Sequence, residues 1–295
     1  IKVVNFDETN RTVYFTARRE ISNRNDFYRL SWDKKMDKKQ IVRLSSGEYN
    51  FVSPVLSPDK KHFVAIASNI STPTQLILAS CSKGGVVKPG ELKIIEDSKG
   101  DKFNPQQLPV AEMIFITTPD GYRLPASIIW PKNMDKTKKY PVLVNMYGGP
   151  NSGTVMDTWR APSSETRLWF EEGVILVNID NRASGHCGKE GMNYVHRNLG
   201  KYEIQDYIEW AKYLISLPFV NAQKIGITGF SYGGTMTVLA LTDGAEYYRY
   251  GIAGGGVYDW RLYDSHYVER YMDEPKDNPE GYKSTAVLGK VRQYK

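Results

Sequence analysis

KIGITGFSYGGTMTVLAL, residues 224–241, begins as a strand and ends as a helix. Ile225 to Thr228 read as a buried strand, and Thr235 to Leu241 carry the apolar run of a packed helix. Between them stand Gly229-Phe230-Ser231-Tyr232-Gly233-Gly234. A Gly-x-Ser-x-Gly sequence alone is ordinary turn chemistry. At a strand-to-helix junction it has the context of a nucleophile elbow. Glycines at 229 and 233 leave room for the neighbouring strand and helix, and the serine hydroxyl projects at the carboxyl end of the sheet. The helix N-terminus behind it favours developing negative charge. Ser231 is therefore read as a nucleophile, with the Tyr232 backbone N–H as one oxyanion donor.

The flanking sequence supplies the sheet. PVLVNMYGG (141–149) and GVILVNID (173–180) are nearly all-apolar runs, as expected of parallel strands covered on both faces. YEIQDYIEWAKYLIS (202–216) sets Ile204, Tyr207, Ile208, Ala211, Leu214 and Ile215 at helical spacing. NAQKIGITG (221–229) returns to strand, YGIAGGG (250–256) is another, and residues 111–131 read as a hairpin turned at Pro119-Asp120-Gly121. This order predicts an α/β layer architecture with a mostly parallel sheet over residues 109–295.

Residues 1–108 follow a different period. TVYFTA (12–17), FYRLSW (27–32), HFVAIAS (62–68) and QLILAS (75–80) are strand-like, and turn signals such as SNRND (22–26), SPDKK (57–61) and SKGG (82–85) separate them. The spacing suits antiparallel meanders, including four-stranded propeller blades. FNPQQLP (103–109) reads as the linker between the two regions.

Charge and composition exclude several classes. Of the net charge of +6, all the excess lies in residues 1–108, with 18 Lys/Arg against 12 Asp/Glu, in turn-like stretches such as DKKMDKK (33–39). Nucleic-acid binders instead concentrate charge on one face and interleave aromatic residues, so solvated loop charge is the better reading. No apolar run is long enough to predict a membrane span. Cys81 and Cys187 are too few for a disulfide framework or a metal cluster.

A serine nucleophile needs a base, and in this architecture the chain order is serine, acid, histidine. His62, His186 and His196 precede Ser231, and His266 follows it closely within a helix-like aromatic segment. No acid–histidine pair in the expected order stands out, so both partners are expected beyond Lys295, and residues 1–295 alone are expected to be inactive.

YGGP (147–150), IDNRASGHCGKEG (179–191), LGKYEIQDYIEWAKYL (199–214), GFSYGG (229–234) and WRLYDSHYVERYM (260–272) together carry a resemblance. Over its full length the chain resembles the prolyl oligopeptidase family of serine peptidases, most closely the dipeptidyl peptidase IV branch. The resemblance implies a partial α/β-hydrolase domain, lacking its C-terminal end, preceded by the last antiparallel blades of a β-propeller. It implies release of N-terminal dipeptides after proline or alanine, with endopeptidase, acylaminoacyl peptidase and esterase activity as alternatives on the same scaffold. A non-catalytic binding module is the alternative from another class. Tyr147 matches the family's hydroxyl donor to the oxyanion. Val257, Trp260, Tyr263 and Tyr267, with the Tyr232 ring, match its proline-accepting pocket. By spacing alone, Trp260, Tyr263 and Tyr267 fit one helix face and would equally suit a core. Arg182 matches a loop arginine, read as holding its loop through a carboxylate partner; Ala183 stands where most of the family has glycine. The paired glutamates with which the branch reads a free N-terminus have no match here. No metal or organic cofactor is implied. Homodimers of the full-length protein and a bacterial periplasmic or envelope location are implied by the same resemblance.

Overall fold

Short strands of alternating exposure bury one face only when paired, and in the computed structural model those of the first hundred residues form two antiparallel sheets. The structure describes residues 1–35, 39–45, 49–81, 92–100 and 103–294. The turn signal at 82–85 and residues 36–38 of DKKMDKK lie outside these. The first sheet runs in chain order through β1 (Lys2–Asp7), β2 (Thr12–Ala17), β3 (Asp26–Trp32) and β4 (Lys39–Arg43). The second does the same through β5 (Asn50–Leu56), β6 (His62–Ser68), β7 (Gln75–Ser80) and β8 (Lys93–Asp97). The strand-like runs quoted above form the inner strands β2, β3, β6 and β7. Tyr14, Phe27, Leu44, Phe51, Phe63 and Ile77 share one core, in which the Phe27 and Phe63 rings lie 4.9 Å apart.

The chain divides into two compact units, one of Ile1–Val110 with Met156–Ala161, the other of Ala111–Val155 with Pro162–Lys295. Met156–Ala161 joins the first unit through polar bonds. Asp157 accepts from the Arg24 Nε (2.8 Å) and the Ile70 N–H (2.8 Å), Thr158 bonds Ser68 (2.9 Å), and the Trp159 and Phe103 rings meet edge-on.

The second unit begins with a hairpin of β9 (Glu112–Thr117) and β10 (Arg123–Ile129). Its turn is closed by the Gly121 N–H donating to the Thr118 carbonyl (2.9 Å) and the Thr118 hydroxyl to Asp120 (2.6 Å). β11 (Tyr140–Asn145), α1 (Ser164–Glu171), β12 (Ile175–Ile179), α2 (Gly188–Asn193), α3 (Lys201–Ser216), β13 (Val220–Phe230), α4 (Tyr232–Thr242), β14 (Tyr250–Gly254), α5 (Ser265–Met272) and α6 (Pro279–Thr285) follow. The sheet order is β14-β13-β11-β12-β10-β9, with β14, β13, β11 and β12 mutually parallel, β10 antiparallel to β12 and β9 antiparallel to β10. The predicted crossover helix is α3, which buries Ile204, Tyr207, Trp210, Ala211 and Leu214.

This topology locates the site. From β11 the chain moves to β12 on one side, then crosses back to β13 on the other. Such a reversal opens a crevice at the carboxyl ends of the strands. Asn145 of β11 pairs in register with Thr228 of β13, so the residues that follow, Tyr147 and Ser231, emerge at the same edge.

Candidate active site

Ser231 joins β13 to α4 with φ +58° and ψ −122°, a conformation non-glycine residues seldom adopt and whose strain costs about 1–3 kcal/mol. The surroundings enforce it. The Ser231 N–H donates to the Gly254 carbonyl of β14 (2.8 Å), and the Ser231 carbonyl accepts from the Gly234 N–H (2.8 Å). A Cβ on Gly233 would come within 2.7 Å of the Met146 carbonyl oxygen, and so would one on Gly229. The backbone leading into Tyr147 therefore lies directly against the serine turn, and only glycine permits that approach. The Ser231 side chain does not cap α4, and among the described residues none hydrogen-bonds its hydroxyl.

His62, His196 and His266 are exposed, the last on α5. His186 forms an Asp–His pair, its Nε2 2.8 Å from Asp180 Oδ2, but both side chains are fully sealed from solvent. Asp180 also accepts from the Thr154 and Val155 N–H groups (2.8 and 2.7 Å), so the pair ties down the loop after Tyr147. Burial pushes the thiols of Cys81 and Cys187 up to about 11, which keeps both protonated at neutral pH. Among the described residues no group of three or more His, Cys, Asp and Glu could hold a metal ion.

The aromatic residues form two runs. The Tyr147, Tyr232 and Trp260 rings follow one another at 6.3 and 5.5 Å. Tyr263, Tyr267 and Tyr271 follow at 5.7 and 5.2 Å. Trp260 is only 2% exposed, whereas Tyr263 is 48% exposed and Val257 and Tyr267 are half-buried. The single helix face suggested by the spacing does not form. Trp260 opens a 3-10 turn capped by Asp259, which accepts from the Arg261 N–H (3.0 Å). Tyr263 is extended, and Asp264 caps α5 by accepting from the Tyr267 N–H (2.9 Å). Two aspartates that compete for backbone donors break the helix between the aromatic residues.

Three supporting residues escaped the sequence reading. Thr235 on α4 clamps Val257, donating to its carbonyl and accepting from its N–H, both at 2.8 Å. Asn181 donates to the Gly148 carbonyl (2.9 Å), linking the loop after β12 to the turn that carries Tyr147. Glu203, wholly buried on α3, accepts from the Tyr232 hydroxyl at 2.6 Å. Burial, and then the Glu203 carboxyl, hold the Tyr232 phenol well above its ordinary range, so it stays a hydrogen-bond donor. Only Glu203 left a local trace, as a helix N3 residue after Gly200, and that trace points to capping rather than to Tyr232.

Arg182 has the expected carboxylate partners. It binds Asp206 through Nε and Nη2 (2.6 Å for the latter) and Asp120 through Nη1 (2.6 Å). Burial works against its charge, but the two carboxylates outweigh it and hold the guanidinium above its ordinary range. The faces of Tyr122 and Tyr194 lie 4.7 and 4.8 Å from its guanidinium carbon.

Known proteins match both units. The prolyl oligopeptidase family pattern covers residues 159–295, and the pattern of the dipeptidyl peptidase IV N-terminal region covers residues 1–74. A protein of Arthroderma otae named "Probable dipeptidyl-aminopeptidase B" is 34% identical over 284 residues, 95% of this chain and 30% of its own length. A protein of the same name from Ajellomyces capsulatus is 43% identical over 169 residues, 57% of this chain and 18% of its own. The crystal structure of Porphyromonas gingivalis dipeptidyl peptidase 4 matches with TM-score 0.83 and 30% identity, covering 100% of this chain and 40% of that one. The chain thus spans about a third of the length of the curated relatives it matches across most of its own length. Its two antiparallel sheets are propeller blades, and its second unit is an α/β-hydrolase domain. With patterns matched in both units and one relative aligned across nearly the whole chain, the chain belongs to the prolyl oligopeptidase family, on its dipeptidyl peptidase IV side.

Proposed function

We propose that the protein is a serine exopeptidase that releases N-terminal Xaa-Pro and Xaa-Ala dipeptides. The observation that carries this reading is the strained backbone of Ser231 at the β13–α4 junction, pressed against the strand end that leads into Tyr147. Ser231 Oγ attacks the carbonyl carbon of the penultimate residue, and its proton passes to a base. The Tyr147 hydroxyl and the Tyr232 N–H receive the negative charge on the carbonyl oxygen. Collapse expels the peptide amine, which takes the proton, and water then releases the dipeptide from the acyl-enzyme. The acid–base pair is supplied by polypeptide outside residues 1–295. Val257, Trp260, Tyr263, Tyr267 and the Tyr232 ring form the pocket, where a flat aromatic wall suits the compact, rigid proline ring. A location in a bacterial envelope and a full-length homodimer belong to this reading; cell fractionation and sedimentation test them.

Comparing free and N-blocked Xaa-Pro substrates with the full-length protein tests the reaction. Preferential cleavage of the free substrates is expected; a preference for blocked ones favours the oligopeptidase or acylaminoacyl alternative. A fluorophosphonate probe should label Ser231, and no labelling would leave a non-catalytic module. Tyr147→Phe should lower kcat by about 10²–10³-fold with little change in KM, because the lost donor acts mainly on the transition state. A fall in KM affinity with unchanged kcat would place Tyr147 in substrate binding instead.

A further inference from the structure

Glu203 is a fully buried carboxyl group with one oxygen unaccounted for. Its Oε1 accepts from the Tyr232 hydroxyl (2.6 Å) and from the Gly200 N–H (3.1 Å), while Oε2 is buried with no hydrogen-bond partner among the described residues. Buried polar groups are normally satisfied, and an isolated buried carboxylate is especially unfavourable. Its titratable neighbours are Asp206 and Tyr207 on α3, Tyr232 on α4 and Tyr267 on α5. None is a cation. Arg182 is committed to Asp206 and Asp120, and among the described residues no ion pair reaches Glu203. Tyr232, in turn, follows the proposed nucleophile, so whatever fixes its side chain also fixes its backbone N–H.

Resting on the peptidase reading above, we propose that Glu203 is a positioning residue for the serine turn, acting as a neutral hydrogen-bond acceptor that fixes Tyr232. Through that one bond α3 sets both the oxyanion N–H and the aromatic wall beside Ser231. Burial raises the Glu203 carboxyl above the usual range, in keeping with a proton on Oε2. The folded protein then binds this proton more tightly than the unfolded chain does. Its contribution to stability is complete below the ordinary carboxylate range and is lost as pH rises toward the folded value.

The test uses the full-length protein with Glu203→Gln and Glu203→Leu. Glutamine keeps a neutral oxygen acceptor for Tyr232 and Gly200, so kcat/KM toward a free Xaa-Pro substrate should stay within about threefold of wild type. Leucine strands the buried Tyr232 hydroxyl and should lower kcat/KM by about 10- to 100-fold. As pH rises above the ordinary carboxylate range, wild type should lose stability relative to Glu203→Gln. Equal damage from glutamine and leucine, an undamaged Glu203→Leu enzyme, or a pH-independent difference between wild type and Glu203→Gln would each overturn the proposal. Fluorophosphonate labelling separates the two levels. An unlabelled wild type removes the peptidase reading itself, whereas a labelled wild type with any of those three outcomes removes only the role of Glu203.

Discussion

Ser231→Gly in the full-length protein is expected to abolish fluorophosphonate labelling, lower kcat by on the order of 10⁴–10⁶-fold, and stabilise the fold. The loss of rate follows from removing the proposed nucleophile, since the proposed oxyanion donors alone retain only residual catalysis. The gain in stability follows from the backbone. At φ +58° and ψ −122° a side chain is strained, while glycine adopts such angles freely. Relief of about 1–3 kcal/mol exceeds the extra unfolded-chain entropy of glycine, about 0.5–1 kcal/mol, leaving a net gain of about 1 kcal/mol. Ser231→Ala is the discriminating control. It removes the same hydroxyl but keeps a Cβ at the same angles, so activity should vanish with little change in stability. Chemical denaturation of the three proteins reads the difference. If glycine and alanine are equally stable, the turn stores no strain; if either retains turnover, another group is the nucleophile.

That turn was legible because its signals are local. Strand, glycines, serine and helix lie within eighteen residues, and the parallel runs 141–149 and 221–229 bring Tyr147 and Ser231 to one edge once they pair. In the first unit the inner strands were legible for the same reason, since β2 and β6 alternate or bury most positions. The outer strands carry no such pattern. β4, KQIVR, and β8, KIIED, are short, charged and exposed along most of their length, as suits edges that must not recruit another chain. β5 contains Pro54, and its register shifts between Val52 and Val55. These strands exist because an inner neighbour supplies the other half of each ladder. The attachment of Met156–Ala161 to the first unit was hidden for a stronger reason. Asp157 bonds Arg24 and Ile70, partners far away in sequence, and no local period records such contacts. At the site, the spacing of Trp260, Tyr263 and Tyr267 outweighed the capping signals of Asp259 and Asp264, although those residues decide where the helix begins. Glu203 shows the same limit: its cap is local, but its bond to Tyr232 depends on how α3 packs against α4.

Arg182→Met is expected to destabilise the second unit by about 3–5 kcal/mol, because it leaves the wholly buried Asp206 without its cation. Methionine fills much of the space but cannot replace the bonds to Asp206 or the charge enclosed by Tyr122, Tyr194 and Tyr202. The Arg182 backbone N–H would still reach Asp206 (2.8 Å), which lessens the loss without removing it. A second substitution separates the worth of the pair from the penalty of an orphaned charge. In Arg182→Met with Asp206→Leu no buried charge remains, so the double variant should recover a large part of the lost stability. Activity should not recover with it. The Arg182 loop includes Asn181, which holds the Gly148 carbonyl beside Tyr147, so loosening that loop displaces the Tyr147 hydroxyl proposed as an oxyanion donor even in a stable protein. The expected pattern is stability restored toward wild type with kcat still reduced, measured by denaturation and by turnover on the same preparations. Recovery of both would reduce Arg182 to a fold-stabilising residue, and recovery of neither would mean that Asp206 contributes independently of its partner.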